Sequence, residues 1–393
     1  MSEELTRGTR AATPGVDVSV VLPCLNEEAS VGTCVEEARA AVLSLGLTCE
    51  VIVVDNGSDD ASARIATSHG ARVITEQRKG YGRALRTGIE AASGPVVVMA
   101  DADRTYPLER LGELVKPVRD GGVDLMIGER LDEVSPGAMP FLHRYIGTPT
   151  LSFLVRRASN GIRVTDSQSG FRAFARDKIL DLGLRSDGME FASEMLIRSG
   201  QRGLRIRSVT TGYRERVGDS KLDTLTDGWR HLQLILLMAP HLLLVWPGLT
   251  LLAIGSLLTA ASVINGQGIE IGSLSWQPTF FSGIAVVLGL QAALAGMVLA
   301  HRSDVLNDVV RKHFAFVGHP RFTLRCAALG VLGALAGLVI DFTLFLVNVE
   351  PGPSPSRFIA LASLAQSLLI GGVSVAIFAV VNAVLARDAS AAR

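Results

Sequence analysis

The sequence predicts an α/β domain built on a mostly parallel sheet, followed by a helical membrane domain. Short β-branched strands alternate with helical segments over residues 17–130. After His231 the chain becomes almost wholly apolar, and Glu270 is the only charged residue over positions 232–300. Acids and bases are therefore concentrated in the first part of the 393-residue chain, although its formal net charge is zero.

The composition excludes several classes of protein. With 48% hydrophobic and 19% charged residues, the chain is not intrinsically disordered, and zero net charge gives no support for a nucleic-acid partner. The four cysteines form no CxxC pair, so we expect free buried thiols rather than a zinc site. Residues 1–16 lack an apolar core, so we expect a flexible tail, no signal peptide and a cytosolic first domain.

Hydrophobic spacing assigns the elements of the first domain in order. Apolar residues at helical spacing follow the first strand, and Asn26 is expected to cap that helix. The five predicted strands are DVSVVLP, CEVIVVDN, ARVITEQ, PVVVMAD and DLMIGER. Helices such as GRALRTGIEAAS separate them, which predicts right-handed crossovers between parallel strands. Ligands bind such sheets at the carboxyl ends of the strands.

The segment over residues 140–227 has a less regular pattern. GMEFASEMLIRSG predicts a helix and LRIRSVTTGY a strand, and the remainder is expected to form edge strands and acceptor-side loops. We place the end of the first domain at residue 230, so that it spans residues 17–230.

A membrane part is predicted for the rest of the chain. HLQLILLMAPHLLLVWP, residues 231–247, is apolar but contains Pro240 and Pro247, which favours interfacial helices lying on the bilayer. Residues 248–393 contain four predicted spans, each near the ~20 residues that cross a bilayer core. These spans cover about 248–264, 279–300, 326–347 and 360–385. The basic linker after the second span predicts that the first domain, the linker and the C-terminus are cytoplasmic.

Asp341 falls inside the third predicted span. A charge there costs about 2.5–3.5 kcal/mol on insertion scales. It forms a lipid-headgroup or inter-helix site, or else it lies near the outer interface or pairs in a homo-oligomer.

The segment VMADADRTYP carries the strongest chemical signal. Asp101 and Asp103 directly follow a valine-rich strand, and paired carboxylates suit Mg²⁺ or Mn²⁺ completed by phosphate oxygens and water. The alternative is structural: Asp103 would cap a helix near Leu108 while Asp101 lies in a turn.

Acids and amides also follow the first two strands. LPCLNEE and VVDNGSDD bring Glu27, Asp55 and Asn56 to adjacent strand ends, where they could bind the base or ribose of a nucleotide or simply form Asx turns. The segment RKGYGRALRTG contains GxG, but Leu85 occupies the last position of GxGxxG. A dinucleotide-binding oxidoreductase is therefore poorly supported.

Taken together, these motifs resemble a known family. The order LPCLNEE, VVDNGSDD, RKGYGRALRTG, DAD, GER, DSQSGFR and RVGDSKL resembles the family 2 inverting glycosyltransferases of GT-A fold, over residues 17–245. The closest resemblance is to the polyprenyl-phosphate (dolichol-phosphate) mannosyl- and glucosyltransferases. It implies transfer of one hexose from a nucleotide sugar, GDP-mannose or UDP-glucose, to polyprenyl phosphate at the cytoplasmic membrane face, with Mg²⁺ or Mn²⁺ bound. An N-acetylhexosamine donor also stays open.

The resemblance also implies a set of site residues. The implied nucleotide-binding residues are Pro23, Leu25, Glu27, Val54, Asp55, Asn56, Asp101 and Ala102. The implied metal ligands are Asp101 and Asp103, with Thr105 as a third. Phosphate or acceptor contacts are implied for Arg130, Arg144, Arg172, Arg216 and Lys221. The implied catalytic residues are Asp103, Arg130 and Asp166, of which Asp166 is a base or an orienting group.

Two other functions remain open. A processive polysaccharide synthase of the same superfamily carries a QxxRW signature, but here Thr226 stands three residues before Trp229. A non-catalytic membrane protein that translocates or scaffolds a glycolipid is the other. Product length tests the first alternative, and deletion of the residues after 265 tests the second.

Overall fold

The computed structural model of the protein describes residues 15–135, 139, 141, 143–218, 224–265, 269–271, 274–276, 278–302, 308–347 and 355–391. Two units follow each other along the chain, Met1–Ile235 and Leu236–Arg393.

The first unit alternates strands and helices, as the sequence predicts. Its strands are β1 (Val18–Cys24), β2 (Cys49–Asp55), β3 (Arg72–Thr75), β4 (Val96–Met99), β5 (Leu125–Glu129), β6 (Arg172–Ala175) and β7 (Ile206–Thr210). The helices that begin in this unit are α1 (Val31–Leu43), α2 (Ser62–Ser68), α3 (Tyr81–Ala91), α4 (Leu111–Arg119), α5 (Thr148–Ala158), α6 (Arg176–Leu180), α7 (Phe191–Gln201) and α8 (Thr224–Met238).

The strands form one sheet in the order β3-β2-β1-β4-β6-β5-β7. Strand β6 runs antiparallel to both of its neighbours, whereas the other pairs are parallel, so the predicted mostly parallel sheet is confirmed. We expected edge strands in the segment that contains β6, but β6 lies between β4 and β5. The four residues RAFA are too short a run to reveal a buried central strand.

Apolar side chains of the sheet and its helices make the core. Val20 and Leu22 of β1 and Val98 of β4 are fully buried against the α1 face that contains Val35 and Ala38. The strand order reverses between β1 and β4, and this switch point is where open α/β sheets bind ligands. All four cysteines are free thiols, and Cys49 is the one that is only half-buried.

Helix α1 begins five residues later than its predicted cap. Asn26 adopts a left-handed conformation with φ of 52° and precedes a turn, so it is not the N-cap of α1. Its Oδ1 accepts a hydrogen bond from the backbone N–H of Asp59 (2.8 Å), and the N–H of Glu27 donates to Ser62 Oγ (2.8 Å). The loop after β1 is thus built on the loop after β2, which local spacing does not reveal.

Among its described residues, the second unit is mainly helical and includes a short hairpin. Its elements are α9 (Trp246–Asn265), β8 (Ile269–Ile271), β9 (Leu274–Trp276), α10 (Thr279–Arg302), α11 (Asp308–His313), α12 (Pro320–Val347) and α13 (Pro355–Ala391). By length and composition, four helical segments within the described part of this unit can cross a membrane. They are His241–Ile264, Thr279–Arg302, Pro320–Val347 and Arg357–Ala386.

The first of these segments begins before residue 248, the predicted start. A π-helical turn, His241–Val245, leads directly into α9. Pro247 is the second residue of α9, directly after this turn. The predicted interfacial segment 231–247 is accordingly divided between α8 and the start of the first apolar segment.

Glycines allow the apolar helices to pack closely. A Cβ at Gly289 of α10 would lie 2.4 Å from the backbone N of Leu252 in α9. A Cβ at Gly372 of α13 would lie 2.4 Å from the backbone N of Ala334 in α12. Small residues at such crossings are typical of membrane helices. Asp341 is exposed on the surface of α12.

Candidate functional site

The ends of β1, β2 and β4 bring acidic side chains to one edge of the sheet. Asp55 is the last residue of β2 and pairs in register with Cys24, the last residue of β1. Glu27 follows β1 by three residues, and Asp101 and Asp103 follow β4. Apart from the half-buried Asp101, these acids are at most 8% exposed. The acids predicted from three separate motifs therefore share the region next to the switch point.

Asp101 and Asp103 form an acidic pair held by neutral donors. The phenol of Tyr81 donates to Asp101 Oδ1 (2.8 Å), while Thr105 donates to Asp103 Oδ1 from its backbone N–H (3.0 Å) and its hydroxyl (2.6 Å). Burial, followed by the charge of Asp103, raises the pKa of Asp101 to about 7. In this arrangement the Thr105 hydroxyl supports Asp103 rather than standing as a third ligand.

This acidic pair fits a divalent cation. Two neighbouring carboxylates, one with a raised pKa, are stabilised by a positive charge placed between them. Among the described residues, no group of three or more His, Cys, Asp or Glu side chains is placed to hold a metal ion. The protein thus offers one or two carboxylates and leaves the other positions to phosphate oxygens and water, as Mg²⁺ commonly requires.

The backbone is strained at the ends of the two neighbouring strands. Asn26 after β1 has a φ of 52°, and Arg104 between Asp103 and Thr105 has a φ of 64°. Left-handed conformations at residues other than glycine cost of the order of 1 kcal/mol and cluster at functional sites. The turn at Arg104 allows the backbone N–H of Thr105 to reach Asp103 Oδ1.

Arg216 joins the ends of β1 and β4. Its Nη2 lies 2.6 Å from Glu27 Oε1, and its Nη1 lies 3.4 Å from Asp103 Oδ2. The segment that carries it is fixed by two backbone bonds, from Arg214 N to Thr105 O (2.8 Å) and from Val217 N to Asp103 O (3.1 Å). A cation predicted from a distant motif therefore contacts the acidic pair directly.

Arg130 and Asp166 form a buried two-point ion pair. Arg130 Nε lies 2.7 Å from Asp166 Oδ2 and Nη2 lies 3.0 Å from Oδ1, and the backbone N–H of Arg130 also donates to Oδ2 (3.3 Å). Burial by itself would raise the pKa of Asp166, but the Arg130 charge and these hydrogen bonds hold it below its ordinary value. Asp166 is therefore an ionised group that orients Arg130.

Aromatic residues that the sequence did not single out surround these groups. Tyr106 stacks on Phe171 with ring centroids 5.4 Å apart, and the Arg130 guanidinium lies 5.1 Å from the ring centroid of Tyr213. Gly170 donates its backbone N–H to the Tyr106 hydroxyl (2.7 Å), and a Cβ there would lie 2.7 Å from the Tyr81 hydroxyl. The glycine of DSQSGFR was the available signal, because such close packing excludes a side chain.

The predicted nucleotide-binding residues divide into two groups. Pro23 near the end of β1 and Leu25 just after it are half-exposed, whereas Val54 and Ala102 are buried and can offer only backbone atoms. Asn56 is occupied locally: its Nδ2 donates to Glu76 O (2.9 Å) and Arg78 O (2.8 Å), and its Oδ1 accepts from Gly80 N (2.7 Å). Asn56 thus holds the loop after β3 next to Asp55.

The predicted phosphate-binding cations do not all reach the site. Arg172 is fully buried and donates to the carbonyl oxygens of Ser169 (2.8 Å), Ser167 (2.9 Å) and Ala192 (2.7 Å). It therefore stabilises the loop before β6, which corrects our expectation that it contacts phosphate. Arg144 is half-exposed beside the Leu131 carbonyl (3.4 Å), and Lys221 lies outside the described residues.

A basic groove lies between α5 and the segment that leads to Asp166. It has a volume of about 440 Å³. We call it the α5 groove, lined by Phe153, Arg156, Arg157, Gly161, Ile162, Arg163, Val164 and Thr165. No Asp or Glu occurs over residues 141–165, so the segments that line the groove combine apolar side chains with basic ones. Ser152 on the buried face of α5 accepts from the backbone N–H of Ser167 (2.9 Å), next to Asp166.

Comparisons with known proteins show which family this chain resembles. Residues 19–182 match the family described as "Glycosyl transferase family 2". The low-salt glycan biosynthesis hexosyltransferase Agl6 of Haloferax volcanii is 38% identical over 297 residues, which cover 75% of this chain and 70% of that protein. This chain belongs to glycosyltransferase family 2. The family resemblance predicted from the motifs is confirmed, and the mostly parallel sheet is the GT-A domain of this glycosyltransferase.

Other relatives of this glycosyltransferase have related names. The dolichyl-phosphate hexose transferase of Haloferax volcanii is 36% identical over 214 residues, covering 54% of this chain and 89% of that protein. The solved structure of glucosyl-3-phosphoglycerate synthase from Mycobacterium tuberculosis, in complex with Mn²⁺ and UDP-glucose, is 29% identical. The match covers 57% of this chain and 79% of that chain, with a TM-score of 0.45.

Proposed function

We propose that this glycosyltransferase transfers one hexose, with inversion, from a nucleotide sugar to polyprenyl phosphate at the cytoplasmic face of a membrane. GDP-mannose and UDP-glucose are the candidate donors. The observation that carries the proposal is the placement of Arg216 against Asp103, which puts a cation beside paired carboxylates at the switch point of the sheet. A relative named dolichyl-phosphate hexose transferase and four apolar helical segments support the lipid acceptor.

The donor binds on the β1, β2 and β4 side of the site. Asp55 and Glu27 face the base and ribose, and Asn56 shapes the neighbouring loop through its three backbone contacts. Asp101 and Asp103 hold Mg²⁺ or Mn²⁺, which supplies positive charge to the diphosphate leaving group. Arg216 provides a second positive charge there, since guanidinium groups bind phosphate oxygens at two points.

The acceptor phosphate binds on the Arg130 side. A phosphate monoester has its second pKa near 6, so its attacking oxygen is already ionised at neutral pH and needs no general base. The oxygen bonds to the anomeric carbon as the bond to the diphosphate breaks, which inverts that carbon. Asp166 fixes the guanidinium of Arg130 before the acceptor arrives, so less orientational entropy is lost on binding.

The α5 groove suits an amphipathic anion. Its arginines attract the phosphate region of a lipid, while Phe153, Ile162 and Val164 offer apolar contacts to the isoprenoid. The Arg157 guanidinium lies 5.4 Å from the centroid of Phe153, an arrangement that keeps the long side chain against an apolar surface. Arg144, whose guanidinium lies 5.4 Å from the ring centroid of Tyr145, provides a further cation just before α5 in the sequence.

The domain assignment follows from the same proposal. Residues 17–230 form the catalytic domain, residues 231–247 the interfacial connection and residues 248–393 a four-span membrane domain, with both termini cytoplasmic. Contacts between copies of the chain would be made by the membrane helices.

A donor screen tests the proposal directly. The purified full chain in lipid nanodiscs is supplied with Mn²⁺ or Mg²⁺, polyprenyl phosphate and radiolabelled GDP-mannose, UDP-glucose or UDP-N-acetylglucosamine. We expect one sugar per lipid from one of these donors, and no product from the Asp103→Ala variant. A polymeric product would identify a processive synthase. Absence of transfer from every donor, in protein shown to be folded, would overturn the proposal.

A further inference from the structure

A chain of polar side chains, half-buried at Gln168 and buried at Ser193 and His231, links the Asp166 loop to α8. Gln168 Nε2 lies 3.0 Å from Ser193 Oγ, and that oxygen lies 3.1 Å from His231 Nδ1. Ser193 belongs to α7 and is fully buried, and His231 belongs to α8 and is 4% exposed. Three elements that are distant in sequence therefore meet at one hydroxyl group.

The donors and acceptors of this chain can all be matched. The Gln168 amide donates to Ser193 Oγ, and Ser193 Oγ and His231 Nδ1 lie within hydrogen-bond distance, where the tautomer of His231 decides which atom donates. Buried polar groups that are matched in this way specify one arrangement of the elements that carry them.

One end of the chain leads to a cation of the site. The backbone N–H of Gln168 donates to Asp166 Oδ1 (3.1 Å), and Asp166 holds Arg130 at two points. The Ser193 hydroxyl thus anchors the loop that carries Asp166 to helix α8.

We propose that Ser193 and His231 are positioning residues that hold the Asp166 loop and, through Asp166, the acceptor cation Arg130. The proposal rests on the function proposed above. An in-line transfer requires the acceptor phosphate to lie opposite the leaving diphosphate across one carbon, so the placement of the cation that binds the acceptor affects the reaction. Loss of this anchor changes acceptor binding and the chemical step more than donor binding.

The same helix supplies a matched control. Ser199 of α7 is also fully buried, but among the described residues its hydroxyl has no hydrogen-bond partner. Ser199→Ala removes the same atom from the same helix without breaking a described hydrogen bond. His231→Asn supplies a matched rescue, because the side-chain amide can donate or accept a hydrogen bond near the position of the histidine Nδ1.

The experiment compares Ser193→Ala, His231→Leu, His231→Asn and Ser199→Ala in the full chain. We expect the first two to lower kcat/KM for polyprenyl phosphate by about tenfold or more, as misplacement of catalytic groups does. We also expect donor KM to stay within about twofold of the wild-type value. His231→Asn should recover most of the loss, and Ser199→Ala should match wild type. The inference would be overturned if Ser193→Ala and Ser199→Ala had the same kcat/KM. It would also be overturned if the loss of activity only matched the loss of folded protein.

Hydrogen–deuterium exchange separates this inference from the proposed function. Exchange of peptides from residues 165–170 should rise in Ser193→Ala and His231→Leu but not in Ser199→Ala, whatever reaction the enzyme catalyses. If the wild type transfers no sugar to polyprenyl phosphate, the proposed function fails while the exchange result still decides whether the anchor exists. An active wild type with unchanged exchange in both variants would refute the anchor alone.

Discussion

Arg130 and Asp166 form a two-point ion pair, with Nε 2.7 Å from Oδ2 and Nη2 3.0 Å from Oδ1. Asp166 is fully buried and Arg130 is 9% exposed, so neither charge is shielded by bulk water. Such a pair fixes the plane of the Arg130 guanidinium. The motif left Asp166 as a base or an orienting group, and this geometry favours orientation.

Asp166→Asn should destabilise the protein strongly. It removes one charge of the buried pair and leaves Arg130 uncompensated, which typically costs 3–5 kcal/mol, so we expect roughly that loss in the free energy of unfolding. Chemical denaturation with a domain-specific probe measures it. Asp177→Asn is the matched control, because that carboxylate is 91% exposed and should change stability by less than about 0.5 kcal/mol. Equal stability of the two variants would contradict the burial argument.

Asp101→Asn should abolish tight divalent-metal binding. The variant removes one of two candidate ligands, so Mn²⁺ affinity should fall by more than the roughly 10- to 100-fold that loss of an outer contact costs. Tyr81→Phe removes only the hydroxyl that orients Asp101 and should give that smaller loss. Titration calorimetry with Mn²⁺ measures both, and Asp59→Asn, an exposed acid of a neighbouring loop, is the control. Unchanged affinity in Asp101→Asn would place the metal elsewhere.

Arg216→Gln should slow the chemical step. Loss of one preorganised donor at a developing charge typically lowers kcat by about 10²- to 10³-fold, and we expect an effect of that order with little change in folding. Arg214→Gln is a close control, since Arg214 lies two residues away and pairs with the exposed Glu109 instead. Single-turnover transfer rates distinguish them. If Arg214→Gln is as slow as Arg216→Gln, the loss of rate comes from a general effect of basic charge and not from the contact between Arg216 and Asp103.

Neutralising the α5 groove should weaken the lipid acceptor. Each arginine near an anionic lipid surface contributes about 1 kcal/mol, or about fivefold in affinity. Changing all three groove arginines to Gln should therefore raise KM for polyprenyl phosphate and leave donor KM unchanged. The difference should shrink at high salt, because exposed charges are screened. A triple variant of exposed arginines elsewhere, Arg64, Arg202 and Arg207, controls for net charge.

Protonation of His231 should destabilise the catalytic unit at acidic pH. Burial lowers the pKa of His231 from its ordinary value of 6.5 to about 4, so the unfolded chain takes up this proton before the folded one. The stability that the neutral side chain provides is complete above pH 6.5 and is lost progressively as pH falls towards 4. The difference in the free energy of unfolding between wild type and His231→Asn, measured from pH 7.5 to 4.5, isolates the contribution of His231. A difference that is independent of pH would contradict the assignment.

Several elements of the site could be predicted because they depend on local pattern. Asp101 and Asp103 follow a short buried strand, and the parallel sheet places Asp55 and Glu27 at the same edge. Arg172 shows the limit of that reasoning. Its motif suggested a phosphate contact, but three backbone carbonyls from two separate segments surround its guanidinium. No spacing rule in one segment identifies partners in another.

The sequence by itself determined the strand and helix alternation, the acidic strand ends and the apolar helices, since each depends on periodicity within one stretch of chain. Tertiary structure alone decided that Arg216 contacts Asp103, that Asp166 is committed to Arg130, and that Asn56 holds a loop. The physical reason is that a charged or polar group acquires its role from the neighbours that compensate it. Those neighbours can be distant in the sequence, since Arg216 lies 113 positions after Asp103.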